Sequence, residues 1–105
     1  MVKPVATLQE YNELIASGKK IAVDFWATWC GPCRAISPVF EKLSAEHPDI
    51  EFIKVDVDDA AEISQQVGIR AMPTFIAYNK GEKAGEVVGA NPGKLNQLIE
   101  DLASQ

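Results

Sequence analysis

A chain of 105 residues, 47% hydrophobic and 24% charged, has material for one hydrophobic core but not two, and is too apolar to be disordered. Its formal net charge is −5 and its ten basic residues are scattered, which excludes a basic face for nucleic acid or membrane. No apolar run approaches bilayer length, and Met1 to Ala6 shows neither a signal-peptide core nor transit-peptide character, so a cytoplasmic, single-domain protein spanning 1–105 is expected.

An edge strand is expected near Val2 to Ala6. Thr7 followed by Glu10 forms a capping-box pattern, and Leu8, Tyr11, Leu14 and Ile15 then share a helical face that Gly18 ends. Ile21 to Trp26 is apolar at nearly every position, as in a strand covered on both sides. A loop from Ala27 to Pro32 leads to a helix from around Cys33, with Ile36, Val39, Phe40 and Leu43 on its apolar face. Pro38 predicts a kink, and His47-Pro48 the end. Ile50 to Val57 reads as a strand. Asp58 and Asp59 are candidate caps for a short helix carrying Ile63 and Val67. Thr74 to Tyr78 and Lys83 to Val88 read as a hairpin turning at Asn79-Lys80-Gly81. Asn91-Pro92 opens a last helix with Leu95, Leu98, Ile99 and Leu102 inward. Strand–helix–strand units imply parallel pairing and the hairpin antiparallel pairing. The fold class is therefore α/β, a central mixed five-stranded sheet flanked by four helices.

The chain has two cysteines, in the segment Trp29-Cys30-Gly31-Pro32-Cys33. So few cysteines, so closely spaced, suggest chemistry rather than a disulfide scaffold. The spacing lets the two sulfurs bond across one turn. A helix N-terminus offers unpaired N–H groups and partial positive charge, which stabilise a thiolate. The thiolate is the nucleophile, so Cys30 is the candidate attacker, and Cys33, inside the helix and less exposed, the candidate resolving thiol. Gly31 adds no bulk above the sulfur. Pro32 stiffens the loop and offers no N–H, which predicts a more reducing couple. Two other uses of the motif are weaker. Zinc needs four ligands, and only His47, a helix away, could add a nitrogen; an inert buried pair does not suit a strand–helix junction. No metal or cofactor is expected.

Asp24 lies among apolar neighbours. Ile21, Val23 and Phe25 share one face of its strand, and Ala22, Asp24 and Trp26 the other. If both faces are covered, Asp24 is a buried carboxyl whose pKa rises toward values useful for proton transfer.

Three segments carry a family resemblance along most of the chain: Asp24-Phe25-Trp26-Ala27-Thr28-Trp29-Cys30-Gly31-Pro32-Cys33, Lys54-Val55-Asp56-Val57-Asp58, and Val67-Gly68-Ile69-Arg70-Ala71-Met72-Pro73-Thr74-Phe75. Val88-Gly89-Ala90 follows. In motifs, spacing and element order the sequence resembles the thioredoxin family, and around Met72 it is most similar to eukaryotic members, fungal ones among them. The resemblance implies a cis-proline at Pro73 opposite the cysteines, with the Met72 backbone pairing with a substrate chain. It implies that Asp24 sits behind Cys33 and helps deprotonate it, with Lys54 nearby as a modulator. Trp29, Gly31, Pro32, Met72, Pro73, Gly89 and Ala90 would form an apolar collar for protein partners. Arg34 replaces the commoner lysine, keeping the charge, and Met72 replaces an isoleucine or threonine. Absence of further cysteines argues against disulfide-linked dimers, and a monomer is expected.

The implied activity is thiol–disulfide exchange with protein disulfides, with re-reduction by thioredoxin reductase. The implied clients are peroxiredoxin, methionine sulfoxide reductase and ribonucleotide reductase. An oxidase or isomerase role fits Gly31-Pro32 poorly, and a non-catalytic scaffold or binding module is the alternative from another class.

Overall fold

The computed structural model describes residues 1–105. The elements are β1 (Val2–Pro4), α1 (Leu8–Ala16), β2 (Ile21–Trp26), α2 (Gly31–Glu46), β3 (Glu51–Asp56), α3 (Ala61–Val67), β4 (Thr74–Asn79), β5 (Glu82–Val88) and α4 (Pro92–Ser104). The sheet order is β1-β3-β2-β4-β5. β3 pairs parallel with β1 and β2, whereas β4 pairs antiparallel with β2 and β5. The expected mixed five-stranded sheet with four helices is what forms.

β2 is central, which explains its apolar composition. Alternate side chains enter two separate cores. Ile21, Val23 and Phe25 join Tyr11 of α1 and Ile63 of α3 on one face. Ala22 joins Ile36, Phe40 and Leu43 of α2 and Leu95, Leu98, Ile99 and Leu102 of α4 on the other. By the same alternation Asp24 and Trp26 face the α2 side. Phe40 fastens α2 to the sheet, its ring centroid 5.1 Å from that of Phe52 and 5.4 Å from that of Phe75.

Thr7 Oγ1 accepts the Glu10 amide at 3.2 Å, and Asn91 Oδ1 accepts the Lys94 amide at 3.0 Å, so both expected caps form. The hairpin turn is the two residues Lys80 and Gly81, with φ of 56° and 81°; two consecutive positive φ values match the twist of paired strands.

Two expectations need correction. The second helix starts at Gly31, not Cys33, because Cys30 is itself the N-cap and Pro32 sits in the first turn, where a missing N–H is tolerated. It runs unbroken through Pro38 to Glu46. Asp58 and Asp59 do not cap α3. Both amides are taken by Asp56 Oδ1, at 2.9 and 3.4 Å, and the cap position falls on Ala60, which has no side-chain acceptor.

Candidate active site

The central strand β2 ends at Trp26, and the chain turns through Ala27–Trp29 into α2. Cys30 is held in an extended conformation at the junction, φ −91° and ψ 105°. Its Sγ accepts the Cys33 amide at 3.2 Å, doing for this helix what a serine or aspartate oxygen does for others. Cys30 and Cys33 are joined in a disulfide with Cα atoms 5.3 Å apart. Cys33 is the less exposed, as expected, but only just: 3% against 5% for Cys30. In the oxidised state both sulfurs are tucked in.

The surroundings of the disulfide differ on its two sides. Outward, Gly31 and Pro32 are exposed, and a Cβ built on Gly31 would meet no atom within 4 Å. Trp29 is 66% exposed, and Val88 at the end of β5 is 58% exposed. Met72 packs, half-buried, against Ala27, Cys30 and Cys33. The Met72–Pro73 peptide bond is cis, as the resemblance implied. Gly89 donates its amide to the Pro73 carbonyl at 2.8 Å, which fastens the Gly89-Ala90 turn to the proline loop. Gly89 has φ 101°, a conformation that side chains other than glycine rarely adopt. The Met72 backbone N–H and C=O make no hydrogen bond within the protein.

Inward, a cavity of about 90 Å³ is lined by Asp24, Trp26, Cys33, Arg34, Ser37 and Lys54. Asp24 is 5% exposed, and its Oδ1 has no hydrogen-bond partner in the protein. Burial pushes its pKa up from 3.8 to about 7, opposed by the positive charge of Lys54. Lys54 stands beside Asp24 in the β2–β3 register and reaches over the Trp26 ring, its Nζ 5.6 Å from the centroid. Asp24, Lys54 and Cys33 are thus brought together at one place. His47 caps the opposite end of α2, and no group of three or more metal-ligating side chains occurs.

Sequence reasoning missed three contributors. Asp58, read as a helix cap, instead accepts the Trp29 indole N–H at 3.0 Å. Arg34 donates to the Thr28 carbonyl at 2.5 Å, tying the active-site loop to the first turn of α2. Trp26, placed only as a face-mate of Asp24, walls the Asp24 cavity, and its Nε1 also lacks a protein partner. Only Arg34 carried a usable signal, since position 34 is one turn along α2 from the cysteine cap.

A disulfide across the first turn of a helix, open to partners on one side and backed by a buried acid on the other, is the working arrangement of thiol–disulfide oxidoreductases. The comparisons narrow the class. The family model described as Thioredoxin matches residues 2–101. The thioredoxin of Coprinus comatus is 55% identical over 102 residues, covering 95% of this chain and 96% of its own. The crystal structure of Malassezia sympodialis thioredoxin superposes with a TM-score of 0.92 at 44% identity, covering 97% of this chain and 93% of its own. A further match, with TM-score 0.91 and 38% identity over 95% of this chain and 94% of the other, comes from work on thiol resolution in yeast mitochondrial 1-Cys peroxiredoxin via glutathione/thioredoxin systems. The chain belongs to the thioredoxin family.

Proposed function

We propose that this chain is a general protein-disulfide reductase. The observation that carries the reading is the Cys30–Cys33 pair at the start of α2, with Asp24 in the cavity behind Cys33. In the reduced protein the Cys30 thiolate, stabilised by the helix N-terminus, attacks one sulfur of a client disulfide. A mixed disulfide forms and the other client sulfur leaves as a thiolate. Cys33 gives its proton to the Asp24 carboxylate, and its sulfur attacks Cys30 Sγ. The Cys30–client bond breaks, the second client sulfur leaves, and the Cys30–Cys33 disulfide remains. Two electrons have passed to the client. An acid with its pKa at about 7 is available as a base for this step at neutral pH.

Client docking in this reading uses the face formed by the exposed Trp29, Gly31, Pro32 and Ala90 and the half-buried Met72 and Gly89, with the buried Pro73 holding the Met72 backbone beneath them. The unpaired backbone groups of Met72 supply strand-like hydrogen bonds to the client chain. Lys54 modulates Asp24 through its charge. Re-reduction is assigned to thioredoxin reductase. The clients are disulfide-bearing enzymes such as peroxiredoxin, methionine sulfoxide reductase and ribonucleotide reductase, and the peroxiredoxin assignment draws on the yeast comparison. The protein acts as a monomer in the cytoplasm, where a reducing environment keeps thiols available.

The test is the equilibrium of the oxidised chain with a dithiol buffer, followed by tryptophan fluorescence. A single reversible two-electron transition at a reducing potential is expected. An oxidising potential would replace reductase with oxidase or isomerase, and no transition would leave only a scaffold role. In cell extracts Cys33→Ser should accumulate mixed disulfides through Cys30, while Cys30→Ser should accumulate none.

A further inference from the structure

The loop that carries Met72 is lightly tethered. Residues Arg70 to Pro73 belong to no helix or strand, and two hydrogen bonds within the protein hold their backbone. The Pro73 carbonyl accepts the Gly89 amide at 2.8 Å, and the Ala71 carbonyl accepts the Thr74 hydroxyl at 2.6 Å. Thr74 is itself firmly placed. It opens β4, is 2% exposed, and pairs with Phe25 of β2 on one side and Val88 of β5 on the other. Of the carbonyls of Ala71, Met72 and Pro73, that of Met72 alone is left without a partner in the protein. The Ala71 carbonyl and the Met72 N–H belong to one peptide unit, which is planar and trans, so the two groups point in opposite directions. A buried hydroxyl that draws the carbonyl toward the sheet therefore turns the N–H away from it.

We propose that Thr74 is a positioning residue for client recognition: its hydroxyl fixes the Ala71–Met72 peptide so that the Met72 N–H is aimed at the client chain. The inference rests on the proposed docking of a client strand against the Met72 backbone. Thr74 is buried and acts through this peptide rather than by meeting the client. Without the bond, the peptide unit can rotate about the single bonds on either side of it. The client would then have to order it on binding, which weakens association. Engagement of the Ala71 carbonyl has a second effect. It removes an acceptor one residue away from that of Met72, so a client N–H finds a single register on the loop.

Thr74→Val keeps a branched side chain suited to a strand but has no hydroxyl to donate, and Thr74→Ser keeps the hydroxyl. A peptide closed by one disulfide serves as the client. In Thr74→Val its KM should rise about five- to tenfold, while kcat and the redox equilibrium of the cysteine pair stay within about twofold of the parent's. Thr74→Ser should return KM to within about twofold of the parent's, and Thr74→Ala, also without a hydroxyl, should repeat the valine result. The second readout is hydrogen exchange of the Met72 amide in Cys33→Ser carrying the peptide as a stable mixed disulfide on Cys30. Attaching the peptide should slow that exchange about tenfold or more with Thr74 or serine present, and less than about threefold with valine. A KM and a Met72 protection in Thr74→Val that match the parent's would overturn the proposal, as would a KM raised equally by serine. If the peptide leaves the Met72 amide unprotected even with Thr74 intact, the docking reading itself falls. Protection that is present with Thr74 and undiminished by valine removes the role of Thr74 alone, so the two failures are distinguishable.

Discussion

Asp24 holds a carboxyl on the covered face of a central strand, where the unfolded chain would have it in water. The folded protein keeps the proton up to about pH 7, while the unfolded chain releases it near 3.8. The unfolded state therefore binds fewer protons between these values, and stability falls as pH rises from about 4 to about 7, then levels off. The span is roughly three pH units at about 1.4 kcal/mol each, a ceiling of about 4 kcal/mol. Asp24→Asn removes the titration. Its unfolding free energy should match the parent below pH 4 and exceed it by a few kcal/mol, on the order of that ceiling, at pH 8. Denaturant titrations at the two pH values check this, and a stability difference that does not change with pH would contradict the buried-acid account. At the same scale, the Trp29 indole is oriented only by Asp58. In Asp58→Ala we expect a loss of about 1 kcal/mol in client binding, read as a KM several-fold higher with kcat little changed.

At the scale of elements, the sequence was most legible where burial sets the pattern. β2 was readable to its ends because both faces are covered and every residue from Ile21 to Phe25 is buried. The inward residues of α4 were readable because four leucine and isoleucine positions repeat with the helical period. Helix starts were readable where oxygen caps them, at Thr7 and Asn91, and not elsewhere. Cys30 caps through sulfur, which is outside the usual cap residues, so the start of α2 was misplaced. Asp58 and Asp59 have the right composition for a cap, but Asp56 had already engaged their amides. Within the site, cysteine spacing and the apolar neighbours of Asp24 could be read directly. The Asp58–Trp29 bond joins residues far apart in sequence, and no local pattern encodes it. A cap that acts locally should have a local cost: Asn91→Ala should lower stability by about 1 kcal/mol while leaving the rate of disulfide reduction unchanged. A large change in that rate would show α4 to be coupled to the site.

Across the whole molecule, the sheet separates two cores, and α2 belongs to both the active site and the larger core. Its first turn carries the disulfide and its third places Phe40 against Phe52 and Phe75. Phe40→Ala should cost about 3–5 kcal/mol through the cavity left between helix and sheet. That is a large share of the roughly 5–15 kcal/mol of a small domain. The measured readouts are the thermal midpoint and the redox equilibrium taken well below it. The midpoint should fall sharply while the redox equilibrium of the folded fraction stays near the parent's, because the ring lies deep in the core and none of the cavity lining is removed.

The hydrogen bond from the Cys33 amide to Cys30 Sγ makes the reacting atom part of the helix's own scaffolding. A neutral disulfide sulfur is a weak acceptor, and an anionic one a strong acceptor. The amide that caps the helix therefore favours the Cys30 thiolate over the thiol, so the bond that starts α2 is also one that holds the attacking sulfur ready.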